Sequence, residues 1–347
     1  HNQFDPNLQF TDRATTLFKN GHPVDKIEIL VLGGTWSSYP IVYRENFIRD
    51  IFYAANTFLQ RHDKRRLRKS LQEEKHCNAT SKHRIIGVTL ETRPDCITTE
   101  ELLHFRNVGC TRVQLGIQHT NNTILDKVNR QCSIEQTKDA IRLLLNHGFK
   151  IDGHFMPQLP SATPDDDKTM FDTLLNDSNL QLDQWKIYPC EVTPWTVIQK
   201  WHEKGLYTPY TDEALIELLL WVKPKVHPWI RLNRIVRDIP SQYILGGVNN
   251  GNLRQVLEHE LRKRNQHCKC IRCREIKQNT FTADDIVLVV RPYKASYGQE
   301  YFVSYETKTN QLLGFLRLRI PPKDNTECVY PQLQQCAFIR ELHVYGK

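Results

Sequence analysis

Two rhythms of hydrophobic spacing alternate along the first 260 residues of the chain. Short apolar runs predict strands at residues 27–32, 85–90, 111–116, 150–154, 184–188 and 229–235. Between them, apolar positions three and four apart predict helices over 42–58, 99–106, 133–146, 164–175, 193–204 and 211–222. Thr98 before Thr-Glu-Glu and Thr211 before Asp-Glu read as helix caps. Strands alternating with helices imply an α/β fold, with a parallel sheet and outer helices, either open or curled as a barrel. Beyond residue 280 the rhythm changes. Runs at 286–290, 301–305, 312–320 and 337–345 follow one another with turns and no long helix, which predicts an antiparallel sheet in a separate domain.

In parallel sheets ligands bind beyond the carboxyl ends of the strands. The residues after each run are Gly33-Gly34-Thr35, Glu91-Thr92-Arg93-Pro94-Asp95, Gln118-His119, His154-Phe155-Met156-Pro157 and Tyr188-Pro189. Glycines permit close backbone approach and polar side chains fix orientation, as a cofactor pocket requires. Each residue alone fits a turn or a satisfied polar group equally well. Five such groups at successive strand ends point to a site.

Composition narrows the class. The 347 residues are 39% hydrophobic and 25% charged, as expected of a folded protein of two domains. No apolar run approaches the roughly 18 residues of a membrane span, which excludes that class. The amino terminus has neither a basic segment nor an apolar one, so no secretion signal is visible. It also lacks an initiating Met, and the natural start is expected upstream. Net charge is +8, with basic clusters at 61–68 and 262–277. Such clusters either bind a polyanion or form a solvated face. A surrounding polar insertion favours the solvated face for the first; the second is open between the two. Cys77, Cys96, Cys110, Cys132 and Cys190 are scattered singly, which suits a reducing compartment and hence the cytoplasm, with the nucleus also open.

Cys268, Cys270 and Cys273 are different. Their C-x-C-x-x-C spacing, with His267 adjacent, places three thiols within six residues and points to zinc, which takes four tetrahedral sulfur or nitrogen ligands. His267 neighbours Cys268 too closely to be a strong fourth ligand; Cys336, His343 or another distant residue could close the site instead. Reduced cysteines without metal are the plain alternative. An iron–sulfur cluster is the competing metal, disfavoured because the motif follows the strands and does not project from one. Lys269, Arg272 and Arg274 would offset thiolate charge or face a phosphate backbone.

Read in order, VDKIEILVLGGT, IIGVTLETRPD, GCTRVQLGIQ, HFMPQLP, QWKIYP, RIVRDIP, CKCIRCREI, LLGFLRLR and IRELHVYG resemble the Elongator complex protein 3 family over nearly the whole chain. The resemblance implies a partial TIM-type radical S-adenosylmethionine (SAM) barrel over 1–260, without its first strand and cluster loop. A zinc-binding linker over 261–277 and the start of a mixed-sheet acetyltransferase-like domain over 278–347 would follow. It implies an enzyme that builds the carboxymethyl group at carbon 5 of the tRNA wobble uridine, using acetyl-CoA and a radical made from SAM. Zinc would join SAM, acetyl-CoA and a [4Fe–4S] cluster among its cofactors, and the cluster ligands would lie outside this chain. Partners implied are tRNA and other Elongator-type subunits; homodimerisation is left open.

Carried over by position, Gly33, Gly34 and Thr35 would approach the methionyl part of SAM, and Lys26 would contact acetyl-CoA. Glu91, Arg93, Gln118 and His154 would line the mouth. Lys186, Tyr188, Arg231, Arg234 and Arg237 are the candidates for RNA contact, with Lys269, Arg272 and Arg274 beside the cysteines. No catalytic residue is assigned. Arg130-Gln131-Cys132-Ser133 departs from the family's usual Arg-Gly-His-Thr. Neither three suitably spaced cluster cysteines nor a glycine-rich CoA loop occurs in the chain, so a noncatalytic tRNA-binding scaffold is a second reading. A protein lysine acetyltransferase is a third, which leaves the barrel unexplained.

Overall fold

A computed structural model describes residues 2–235, 239–248, 252–277, 280–323 and 325–345. The chain divides into two compact units, residues 1–92 with 98–114, and residues 93–97 with 115–347.

The first unit runs α1 (Pro6–Lys19), β1 (Lys26–Val31), α2 (Ile41–Asn56), α3 (Leu71–Ala79), β2 (Arg84–Thr92), α4 (Thr99–Asn107) and the beginning of β3 (Arg112–Gln118). Strands β1 and β2 pair in parallel, with Lys26 opposite Arg84 and Leu30 opposite Thr89. Ile48, Ala55, Leu90, Leu102 and Phe105 are buried in this unit. Two of its helices were not expected from hydrophobic spacing. Asp5 accepts from the Leu8 amide and Pro6 opens α1, while Ser70 and Glu73 form a capping box on α3. Both start signals are local and polar, so a search led by apolar period passes over them.

The second unit continues β3 and adds α5 (Asn122–Lys127), α6 (Ile134–Asn146), β4 (Lys150–Phe155), α7 (Pro164–Asn176) and β5 (Gln184–Ile187). There follow α8 (Val197–Glu203), α9 (Asp212–Val222), β6 (Arg231–Ile235), α10 (Leu253–Lys263) and α11 (Ile271–Arg274). It ends in β7 (Ile286–Ala295), β8 (Gly298–Thr307), β9 (Leu312–Ile320) and β10 (Phe338–Val344). Of these, α5, α10 and the one-turn α11 were also unanticipated. The first six strands form one sheet in sequential order, a parallel half-barrel as the alternation predicts. The last four form a separate antiparallel sheet, order β10-β9-β8-β7. None of the described helices is long and apolar enough to cross a membrane.

Within the second unit the antiparallel sheet meets the amino ends of β4, β5 and β6 through buried charge. Asp183 precedes β5; one carboxylate oxygen accepts the Ile151 amide at 2.9 Å. Arg340 grips the same carboxylate in bidentate fashion at 2.7 and 2.8 Å. Arg317 approaches it at 3.4 Å and donates to Glu341 at 2.8 Å. Arg340 also donates to Glu300 at 2.9 Å, and Glu300 accepts from Arg319 at 3.0 Å. The register of β10 against β9 slips between Ile339 and Glu341, a bulge at Arg340 that re-aims its side chain. Three guanidiniums thus face three carboxylates where water is excluded; Asp183, Arg317, Arg319 and Glu300 are each at most 1% exposed.

Removing one partner strands the others. Asp183→Asn is expected to cost about 3–5 kcal/mol, read as a fall in the denaturant midpoint, because two buried guanidiniums lose their anion. Despite the cost of burial, Arg340 and Arg317 hold the Asp183 carboxyl well below its ordinary range. Its stabilisation is therefore full above the unfolded value near 3.9 and lost as pH falls further toward the folded one. The difference in thermal midpoint between the wild type and Asp183→Asn should be constant from neutrality to about pH 4 and shrink below it. A midpoint unchanged in the Asn variant would show that the network is idle.

Candidate cofactor site and metal centre

In the first unit, β1 is followed after Leu32 by Gly33 and Gly34, at φ +126° and +119°, which only glycine adopts easily. A Cβ built on either meets nothing within 4 Å, so the exposed backbone can take a ligand at close range. The Gly33 amide donates to the Glu91 carboxylate at the end of β2, 3.3 Å away. The short turn Trp36–Ser38 anchors this corner, because Ser37 donates to Glu101 at 2.7 Å and sits 2.9 Å from the Thr92 hydroxyl. Buried Arg44 of α2 pairs with that Glu101 at 2.5 Å. Lys26 opens β1 at its opposite end, where it is exposed beside α1, so the structure does not bring it to the glycine corner.

In the second unit the strand ends carry Gln118, His154 and Tyr188. Gln118 holds φ +71°, and its carbonyl accepts the Met156 amide at 2.8 Å. The Tyr188 amide donates to the Phe155 carbonyl at 2.8 Å, so the loops past β3, β4 and β5 remain laced together. The His154 and Tyr188 rings stand edge to face, 5.5 Å apart. Burial, helped by the Lys186 cation, pulls His154 down to about 3, leaving it neutral at physiological pH. Behind this edge a group not anticipated from the chain supports the loops. Asp167 pairs with His119 at 3.2 Å, and accepts from the Tyr210 hydroxyl at 2.7 Å and the Gln158 amide at 2.8 Å. Only the folded chain brings these four together. Arg93 is clamped by Asp95 at 2.6 and 2.8 Å and reaches the Gln131 carbonyl. Gln131 itself holds φ +53°, a strained choice where the resembling family has glycine.

The candidate RNA-contacting residues do not form one surface. Lys186 is 6% exposed and faces Asp152 at 3.6 Å. Arg231 pairs with Glu275 and the Tyr345 hydroxyl at the amino end of β6. Arg274 is buried against Glu306 at 2.8 Å. Arg234, Lys269 and Arg272 are exposed, the last donating to the Asn233 carbonyl at 2.9 Å. Arg237 lies outside the described residues.

Cys268, Cys270 and Cys273 converge, with all sulfurs within 4.8 Å of one another. His267 is exposed and does not join them; Cys336 and His343 do not either. Hydrogen bonds from Cys268 and Cys273 hold the Cys270 thiol well below its usual value, so this sulfur is poised as a thiolate. The cysteines are mortised into the second unit from both sides. The Ile271 amide donates to Ile230 at 3.0 Å and the Ile276 amide to Leu312 of β9 at 3.1 Å. Ile271 also packs with Phe302, Leu312 and Phe315.

A radical SAM superfamily model matches residues 41–174 and its C-terminal domain model residues 182–263. A tRNA uridine(34) acetyltransferase of Dehalococcoides mccartyi is 35% identical over 94% of this chain and 70% of its own length. The chain belongs to the family of tRNA uridine(34) acetyltransferases and Elongator complex protein 3. The Methanocaldococcus infernus acetyltransferase is 37% identical over 99% of the chain, and the Saccharomyces cerevisiae Elongator complex protein 3 is 32% identical over 99%. The chain spans 64% and 61% of those two proteins. A solved structure of the Methanocaldococcus infernus Elp3 with an N-terminal deletion superposes with a TM-score of 0.92 at 36% identity, over 99% of this chain and 80% of that one.

Membership of the radical SAM superfamily implies SAM and a [4Fe–4S] cluster. The cysteine trio does not fit that cluster. It lies at the amino end of β6, the pole of the strands opposite Tyr188 and His154, whereas SAM chemistry needs the cluster at the carboxyl ends. Among the described residues no other group of three potential metal ligands gathers. The open glycine corner with Glu91 does suit the aminoacyl end of SAM. Three thiols converging on one point suit a tetrahedral ion. Cys270→Ser is expected to abolish stoichiometric zinc, and chelation of the wild type to lower its thermal midpoint. Full zinc occupancy in the serine variant, by elemental analysis, would assign the metal elsewhere.

Proposed function

We propose that this chain is the radical SAM and acetyltransferase-like core of an enzyme that modifies carbon 5 of the tRNA wobble uridine, drawing its acetyl unit from acetyl-CoA. The observation that carries this reading is the match along 99% of the chain to proteins named for that chemistry, over one shared fold. Domain limits follow the chain's chemistry: the barrel over 1–260, the zinc linker over 261–277, and the acetyltransferase-like sheet from 278 onward. Gly33, Gly34 and Thr35 admit SAM, and the Glu91 carboxylate binds its ammonium group. Neutral His154, Tyr188, Gln118 and Arg93 bind the uridine and its neighbours. Lys26 meets the anionic CoA away from the glycine corner. Zinc on Cys268, Cys270 and Cys273 fixes the joint between β6 and β9, with Lys269, Arg272 and Arg234 open to RNA phosphates. Work on tRNA, with Elongator-type partners and in the cytoplasm, is part of the same reading.

The full-length gene product tests it. With SAM, acetyl-CoA and tRNA it is expected to hold iron and sulfide and to release 5′-deoxyadenosine. Glu91→Gln should weaken SAM binding at least about tenfold, the value of a charge-assisted hydrogen bond, with the thermal midpoint unchanged. An iron-free full-length protein that binds tRNA and leaves SAM intact would replace this reading with the scaffold.

A further inference from the structure

Beyond β5, the loop leading to α8 places Trp195 almost wholly in solvent, at 88% exposure. Its backbone sits at φ +66°, a conformation natural to glycine and costly for a bulky side chain. The fold holds it there. Gln199, in the first turn of α8, accepts the Trp195 amide at 2.8 Å, while Thr196 caps the helix by accepting the Gln199 amide at 3.2 Å. The loop after β6 supplies a second exposed ring, Tyr243, whose centroid lies 6.4 Å from that of Trp195 at an angle of 49°. Two backbone hydrogen bonds join these loops, from Val192 to Gly246 at 2.9 Å and from Leu245 to Val192 at 2.8 Å. Leu245 and Val197 extend the apolar surface, and Lys200 and Lys204 are exposed along α8.

We propose that Trp195 and Tyr243 form a stacking platform for unpaired bases of the RNA substrate flanking the modified nucleotide. This rests on the tRNA reading above. A tryptophan held out in solvent against its backbone preference contributes nothing to a core, and flat aromatic faces with nearby lysines take single-stranded bases irrespective of their identity. The two loops follow the carboxyl ends of β5 and β6, the pole that carries Tyr188, so a loop of RNA reaching that pole passes the pair. The net charge of +8, with Lys200 and Lys204 exposed beside the rings, favours an anionic partner such as RNA. Each ring supplies one face at no cost in new ordering, because α8 and the backbone bridge already fix both loops.

The test compares binding of a stem–loop RNA bearing an unpaired loop with binding of a blunt RNA duplex, using the full-length protein. Trp195→Gly relieves the backbone strain, so folding should be retained. It is expected to weaken stem–loop binding about tenfold, the value of one base stacked on an aromatic ring, and to leave duplex binding unchanged. Tyr243→Ala should act in the same direction, and Trp195→Phe should largely restore affinity. Equal stem–loop affinity in wild type and Trp195→Gly overturns the platform. So does an equal loss for both RNAs. A Trp195→Gly variant that binds RNA normally but changes its mass in light scattering assigns the patch to a protein partner and also overturns it. Should the wild type bind no stem–loop at all, the tRNA reading itself fails.

Discussion

The carboxylate of Asp183 is the point on which the second unit turns. It lies where β4, β5 and β6 begin, takes the Ile151 amide, and is clasped from the other side by Arg340 of β10 with Arg317 of β9 close by. Burying such a charge is costly, and several hydrogen bonds from fixed donors are what offset it. The reward is geometric. A bidentate guanidinium holds its partner within narrow limits of distance and plane, so two sheets that share no strand are locked in one arrangement. The cysteine trio sits on the seam between β6 and β9, where a metal ion on its three sulfurs would add a further tie.

That seam explains the division of labour within the unit. The amino ends of β4, β5 and β6 are spent on structure: Asp183, the cysteines and the Arg231–Glu275 pair all lie there. The carboxyl ends carry polar and aromatic side chains instead, with His154 and Tyr188 edge to face and Asp167 bracing the loops behind them. Rigid support at one pole allows polar, partly exposed side chains at the other, because their positions no longer depend on burying them. Three residues on this side depart from the usual backbone regions. Gln118, Gln158 and Trp195 all hold positive φ.

Much of this was legible in the chain. Alternating apolar runs and helical periods mark five of the outer helices and every strand of the half-barrel to within a few residues. The three cysteines announce themselves by spacing alone. Helices α1, α3 and α10 escaped because their evidence is a cap or a narrow apolar stripe inside a polar stretch. The predicted helix over 193–204 begins instead at Val197, since Thr196 caps it and Trp195 adopts a turn conformation. Lys186, Arg231 and Arg274 read as free cations in a string of letters; each has a carboxylate facing it in space.

Local chemistry therefore settled which segments become strands, which glycines must turn the chain, and which sulfurs can share an ion, since these depend on neighbours a few residues away. Only the tertiary structure decided which charges are spent on one another and which remain for a ligand. Asp183 and Arg340 are 157 residues apart, and no period or spacing connects them. The same holds for His119 with Asp167 and for Trp195 with Tyr243. Electrostatic pairing and burial act through space, so the assignment of a charged or aromatic residue to scaffold or to site waits on the fold that surrounds it.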